Sequence, residues 1–342
     1  MCWITCLVLV LAGLQGCGPE PQGEVVIYSA TDREFSAPIL GAFHRAEDKR
    51  ITPAPQYDFG PRVEDGLFNR ILAEADAPVA DVLWNNEILQ TVRLQKAGQL
   101  QRRAWKVGAD WPPSMLASDG TWCGFAARAR VLIVNTNKLR DPQQWPVSVD
   151  DLADPGWKDQ CALARPFSGT PATHAAVLEV ERGSEAAESF FRKVADNAIV
   201  LPDNKQVAVA VAEGKAAWGL TDSDEAIGQR DAGRPVAIVF PDQAPGQLGT
   251  LRIPNTIAIV KNGPNPAAAA VLVDFLARPD TEDRLAMGPS SQIPVSHSAE
   301  VRPHVLPAEP VRWLEPDFEA AADVWDELVP KLRAIFSRLD TP

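Results

Sequence analysis

The sequence predicts an α/β fold of two lobes, joined by two long crossover strands, with an interlobe cleft for a ligand. Three observations predict it. Short apolar runs that end in polar residues and open amphipathic helices recur along the chain, the repeating unit of an open α/β sheet. Two extended runs, 124–135 and 250–261, are much longer than the other strands and far apart in sequence. Each leaves one cluster of α/β units and enters another, so the two lobes can close about them as about a hinge.

The elements follow in order. Val25–Tyr28 is a β-branched strand, and Ser29–Asp32 leads into a helix with Phe35, Ile39, Leu40 and Phe43 on one face. Residues 51–57 read as a second strand despite Pro53 and Pro55, followed by a helix through Val63, Leu67, Ile71 and Leu72. Residues 80–84 form a third strand that ends in Asn85-Asn86-Glu87 before a helix through Leu94. In the second lobe, 161–164 is a strand, and Ser168-Gly169-Thr170-Pro171 precedes a helix. Thr170 is placed as the N-cap of that helix, with Pro171 in its first turn. Asn204 stands before another helix, closed by Gly214. The strand around Trp218–Leu220 ends in Thr221, Asp222, Ser223, Asp224 and Glu225, and a helix then runs to Gly233. Helices over 267–277 and 281–287, a proline-rich stretch at 303–310 and an amphipathic helix over 318–339 complete the chain.

Composition narrows the function. The chain has 342 residues, 46% hydrophobic and 23% charged, with a net charge of −12. Nucleic acid is excluded as a partner, because its phosphates demand an excess of Lys and Arg. Leu7–Leu14 is an apolar run of signal-peptide length, too short to span a bilayer. Leu14-Gln15-Gly16-Cys17 resembles a lipobox. It predicts a signal peptide over 1–16, lipidation at Cys17, a tether over 17–23 and a periplasmic or extracytoplasmic, lipid-anchored protein. A plain cleaved signal predicts nearly the same compartment. Cys123 and Cys161 are the two cysteines left beyond Cys17. In an oxidising compartment such a pair predicts a disulfide, the alternative being two separate buried thiols.

The succession of segments carries a resemblance. Val-Ile-Tyr-Ser-Ala (26–30), Asp-Val-Leu-Trp-Asn-Asn-Glu (81–87), the run 124–135, Ala-Arg-Pro-Phe-Ser-Gly-Thr (164–170), Gly-Leu-Thr-Asp-Ser-Asp-Glu-Ala (219–226) and Ile-Pro-Asn-Thr (253–256) together are similar to extracellular solute-binding proteins of ABC importers. Within them the chain resembles the branch that holds the ferric-ion-binding proteins. The resemblance implies a periplasmic-binding-protein fold, a small-molecule or ion ligand, an ABC permease as partner, no enzymatic step and no cofactor beyond a possible bound metal ion. It implies lobe 1 from 24–125 and 252–297, lobe 2 from 126–251, and a tail of 298–342 packed on the lobes of a monomer.

Ferric-binding relatives hold metal through a His after the first strand, a Glu after the third and two adjacent tyrosines before a helix. By position these fall on Asp32, on Asn86 with Glu87 beside it, and on Asp224-Glu225. Tyr28 and Tyr57 are the only tyrosines of the chain, so the phenolate pair is replaced by carboxylates. The family's anion-binding positions match Arg128, the Ser168-Gly169-Thr170 turn and Asn204.

Each residue has a second role in view. A helix start offers free N–H groups to an anion, and Arg128 a planar guanidinium fork. Arg128 can equally form an interlobe salt bridge, and Arg130, on the same strand face, can take that place. Asp222, Asp224 and Glu225 serve either as helix caps or as ligand contacts. Asp32 fits an Asx turn, and Asn85 and Asn86 fit turn formation or ligand donation. Trp84 and Trp218 suit the core or the cleft wall.

The sequence therefore predicts a substrate-binding lipoprotein of an ABC importer, with Asp32, Asn85, Asn86, Arg128, Ser168, Gly169, Thr170, Asn204, Asp222 and Asp224 at the ligand. The expected ligand is a small anionic or zwitterionic solute such as a phosphonate or phosphate ester. The alternatives are ferric iron held by carboxylates, Asp224 and Glu225, plus a synergistic anion, and a ligand-sensing partner of a membrane receptor.

Overall fold

The computed structural model describes residues 21–47, 49–57 and 63–337, with no side-chain description for 63–65. The predicted signal peptide, Cys17 and most of the tether lie outside the described residues, as does the predicted last helix beyond 337. Among the described residues no helix is long and apolar enough to cross a membrane.

The chain opens with β1 (Gly23–Ser29), α1 (Arg33–Ala46), β2 (Ile51–Tyr57), α2 (Val63–Ala73), β3 (Val82–Asn85) and α3 (Leu89–Lys96). The crossover strand β4 (Trp122–Asn135) leads to β5 (Cys161–Ala164), α4 (Gly169–Arg182), α5 (Ser184–Asn197), β6 (Ile199–Leu201), α6 (Asn204–Ala212), β7 (Trp218–Asp222), α7 (Ser223–Asp231) and β8 (Val236–Val239). The second crossover, β9 (Thr250–Ile259), returns to α8 (Pro266–Leu276) and α9 (Pro279–Met287), and β10 (Trp313–Leu314) and α10 (Phe318–Phe336) follow.

The strands run in the order β2-β1-β3-β9-β4-β7-β5-β6, with β10 added to β9 and β8 to β4. β2 is the outermost strand, where proline is tolerated. Pro53 and Pro55 pair with Val25 and Ile27, and their two-residue spacing puts both missing N–H groups on the side away from β1. β1 and β3 pair in parallel, as do β5 with β6 and β7, which is the sheet pattern of two βα clusters. β4 joins them. Its first part pairs with β9 and its second, from Arg130 to Val134, with β7. All residues of β4 and β9 are buried, so the connecting strands form the shared floor of both lobes.

A polar knot fixes the floor. β4 is bulged between Phe125 and Ala127, and Ala126 there has φ 40°, a backbone state few non-glycine residues adopt. The fully buried Glu282 of α9 accepts from Ala126 N at 2.7 Å, Val295 N at 2.9 Å and Ser296 N at 3.0 Å. Asn255 of β9 donates to the Ala126 carbonyl and, at 2.8 Å, to Gln292 Oε1. Burial pushes the Glu282 carboxyl above the usual range, while its three N–H donors pull the other way.

α10 straps the lobes externally. It packs on α3 of the first cluster and on α4 and α5 of the second. Lys96 Nζ meets Asp323 at one end, and Phe336 meets the rings of Phe167 and Phe191 at the other.

Two sequence expectations are corrected. Cys123 and Cys161 form no disulfide, and both are buried free thiols. Cys123 is the second residue of β4, whereas Cys161 is paired through Trp218 to Val134 at the other end of that strand. At about 3.3 Å per residue this separates them by roughly 35 Å, against about 7 Å for the widest bridgeable Cα pair. Burial pushes both thiols up, Cys161 to about 12. The second correction concerns α4. It starts at Gly169 with Ser168 at its N-cap, so Thr170 lies inside the first turn and its hydroxyl is used elsewhere. Gly169 has φ 61°, which suits glycine.

Candidate functional site

The polar ends of β1, β3, β5 and β7 converge where an open α/β sheet presents ligands, outside the carboxyl ends of the strands. One wall carries Thr31, Asp32, Asn85, Asn86 and Glu87. The other carries the Ser168–Thr170 turn, Asn204, Asp222, Asp224 and Glu225. Arg128 and Arg130 rise from β4 between them, two residues apart and on one face.

Arg130 is the centre of a closed network. It is the cross-strand partner of Asp222, so both side chains leave adjacent strands together, and Nη1 reaches Asp222 Oδ1 at 2.6 Å. Nη1 also donates to Asn204 Oδ1 at 2.9 Å and Thr170 Oγ1 at 3.4 Å. Thr170 Oγ1 and Asn204 Nδ2 donate in turn to Asp222 Oδ2, at 2.5 and 2.9 Å. Arg130 Nε faces His174 Nδ1 at 3.4 Å. Burial, then the charges of Arg130 and Arg182, hold His174 well below the usual imidazole range, so it serves as a neutral acceptor.

This changes three expected roles. Asp222 occupies the N-cap position of α7 but makes no side-chain cap bond, because its carboxylate is turned to Arg130. Thr170 and Asn204, expected at an anion, have their polar atoms committed to the Arg130–Asp222 pair. Of the expected anion contacts, Arg128, Ser168 and Gly169 stand outside this network. Ser168 makes no cap bond of its own, and Arg128 Nη1 lies 3.7 Å from Asp224 Oδ2.

The first wall separates its residues in the same way. Asn85 is buried and donates to Glu87 Oε1 at 2.9 Å and Thr91 Oγ1 at 3.2 Å, while its own Oδ1 accepts from Asn86 N at 3.0 Å. It shapes the turn. Glu87 accepts from Leu89 N and Gln90 N and so caps α3. It also accepts from Thr173 Oγ1 of α4 at 2.9 Å, a bond between the two strand clusters. Asp32 is exposed and makes no side-chain cap bond to α1.

The acids left to the cleft are Asp32, Asp224 and Glu225. Among the described residues neither Asp32 nor Glu225 makes an ion pair. Burial pushes the Glu225 carboxyl above the usual range, the charges of Asp224, Asp222 and Asp32 push it further, and Lys205 opposes them. Burial also raises Asp224, with Asp222 adding to the rise and Arg128 opposing it. Thr173 Oγ1 of α4 meets Glu87 at the end of β3, so the two walls approach one another there. Among the described residues no group of three His, Cys, Asp or Glu side chains is arranged to hold a metal ion. Trp84 and Trp218 are wholly buried core residues.

A two-lobed α/β chain with two crossover strands and converging strand ends is a periplasmic-binding-protein-like molecule. The profile for bacterial extracellular solute-binding proteins matches residues 77–320, and the chain belongs to that family. Iron uptake protein A1 of Synechocystis sp. is 25% identical over 290 residues, covering 80% of this chain and 79% of that protein. The Fe(3+)-binding periplasmic protein of Serratia marcescens is 30% identical over 196 residues, covering 57% of this chain and 56% of that protein. Among solved structures, the Trichodesmium protein IdiA (FutA) in complex with iron and citrate superposes with a TM-score of 0.78 at 20% identity, over 92% of this chain and 99% of that one. Apo ferric ion-binding protein A of Pasteurella haemolytica gives a TM-score of 0.79 at 20% identity, over 91% and 97%. The chain is thus a periplasmic solute-binding component of ABC-importer type, not an enzyme.

Proposed function

We propose that the chain captures ferric iron together with a small oxygen-rich anion and delivers the pair to an ABC permease. The observation that carries this reading is the excess of acid in the cleft. Asp224 and Glu225 are neighbours whose carboxyls are pushed up by burial, Asp224 further by the charge of Asp222 and Glu225 further by those of Asp224 and Asp222, so the site favours an added positive charge. Carboxylate oxygens are hard donors suited to a hard cation. The described protein groups alone do not enclose a metal, so the anion supplies the remaining coordination and meets Arg128 and the free N–H groups of α4 at Ser168 and Gly169. The named activities of the iron-uptake and Fe(3+)-binding relatives support the same cargo.

The expectation of a phosphonate or phosphate ester is less well supported, because Thr170 and Asn204 are committed to Arg130 and Asp222. The lipobox-like stretch supports lipid anchoring at Cys17. Division into lobes at about 125 and 251 is supported by the bulge between Phe125 and Ala127 of β4 and by β9 leaving β10 for β4 after Leu251. The test is a thermal-shift series on metal-stripped protein, since a ligand bound only to the native state raises apparent stability. Ferric citrate raises the melting temperature, and citrate alone does so weakly. A strong shift with phosphonates and none with ferric citrate refutes the reading.

A further inference from the structure

Away from the residues of the interlobe cleft, a cavity of about 110 Å³ lies between α1 and the end of α9. Its apolar lining includes Phe35 and Ile39 of α1 and Leu285 of α9. A cavity of about 150 Å³ takes up benzene, so this one has room for roughly four or five carbons. Its polar lining is unspent. Ser290 is 2% exposed and lines the cavity, yet its hydroxyl makes no hydrogen bond among the described residues. A buried polar group without a partner beside an open volume points to a ligand. Glu34 and Arg284 border the same cavity, one from each helix. Neither makes an ion pair or a side-chain hydrogen bond among the described residues. The α9 side of the cavity also adjoins the polar knot of the floor. Arg284 stands two residues after Glu282, and Ser290 two residues before Gln292, to which Asn255 donates at 2.8 Å.

We propose that this cavity is a second binding site, separate from the cargo cleft, for a free aliphatic α-amino acid of the size of leucine. The branched side chain fills the apolar lining. The carboxylate accepts from the Arg284 guanidinium and the Ser290 hydroxyl, and the ammonium meets Glu34. Two opposite charges over an apolar floor match a zwitterion with one apolar arm. A plain carboxylate or a plain amine leaves one rim charge unanswered, and glycine leaves the floor unfilled. Glu34 and Arg284 are exposed, so their charges add modestly, and the apolar lining and the buried hydroxyl carry most of the selection. The proposal does not depend on the cation reading of the cleft.

The test titrates purified, metal-stripped protein with L-leucine, isovalerate, isopentylamine and glycine, read by saturation-transfer NMR and by thermal shift. Leucine is expected to bind and to raise the melting temperature. Isovalerate and isopentylamine bind about threefold or more weakly than leucine, and glycine does not bind. Arg284→Ala and Ser290→Ala each weaken leucine by about tenfold or more, the usual scale for a lost contact to a charged group. Glu34→Gln weakens leucine by about threefold and leaves isovalerate unchanged. Ligand-free Ser290→Ala melts no lower than wild type, because its hydroxyl has no internal bond to lose. Wild-type protein that binds no leucine at millimolar concentration overturns the proposal, as does leucine binding that survives both Arg284→Ala and Ser290→Ala. Leucine displaced by ferric citrate would lie in the cargo cleft and overturn it as well. A ligand-free Ser290→Ala that melts below wild type would show that the hydroxyl already has a partner, with the same consequence.

Discussion

Arg130 and Asp222 face each other across paired strands at 2.6 Å, and that buried ion pair organises the second lobe's side of the cleft. It takes up Thr170 and Asn204 and leaves Arg128 as the arginine outside the network. Removing one partner of such a pair strands a buried charge, which costs about 3–5 kcal/mol. Asp222→Asn should therefore lower the unfolding free energy by that order in urea denaturation. An apolar exchange of both residues, Arg130→Met with Asp222→Leu, should cost much less. Equal losses in the single and double variants would refute the electrostatic account.

The raised carboxyls predict a pH dependence of a definite sign. Asp224 and Glu225 have folded-state pKa values above their unfolded ones, so the folded chain binds more protons than the unfolded chain from about pH 4 upward. Their contribution to stability is complete below the unfolded values and is lost as pH rises through the folded ones. The ligand-free protein should lose melting temperature between about pH 5 and pH 8.5 more steeply than Asp224→Asn/Glu225→Gln does. Parallel curves for the two proteins would contradict the assignment.

Glu282 predicts a stability effect far from the cleft. Its carboxylate is the acceptor for the N–H groups of Ala126, Val295 and Ser296. Glu282→Ala leaves those buried donors unmatched, at about 1–3 kcal/mol each. A loss of at least about 3 kcal/mol is expected by chemical denaturation, with Glu282→Gln recovering part of it. A near-neutral alanine variant would show that the bulge at Ala126 is held by its neighbours alone.

The two buried thiols give a direct chemical check. Native protein should resist alkylation at Cys123 and Cys161, since burial disfavours both thiolates. Protein unfolded without reductant should release both thiols to titration, and reductant should leave the melting temperature unchanged. A finding of no free thiol at either position would restore the disulfide.

Much of the architecture was legible in the sequence because hydrophobic periodicity and strand-end polarity are local properties. The alternation of strands and helices, the two long crossover runs and the apolar face of α10 can all be read from neighbours within a few residues. Asp32, Asn86, Arg128, Asp224 and Glu225 were also legible as polar residues at strand ends or inside a crossover strand. The absence of a tyrosine pair is a property of the sequence alone, and it directs attention to oxygen donors other than phenolate.

Pairing decided the rest. Whether Asp222 caps α7 or meets Arg130 depends on the register of β4 against β7, between residues 92 positions apart. Glu87 stands beside the position that the resemblance assigns to a metal-binding carboxylate, but it is spent on α3 and on Thr173 once the clusters are brought together. Cys123 and Cys161 fit a disulfide by count and compartment, and only their places near opposite ends of β4 keep them apart. Thr31 carries no motif, and its unmatched hydroxyl exists only where the ends of β1 and β3 lie side by side. Sequence determined which groups could carry charge or donate oxygen. Tertiary structure decided which of those groups were already satisfied, because a buried polar atom's availability depends on partners that strand register brings from distant parts of the chain.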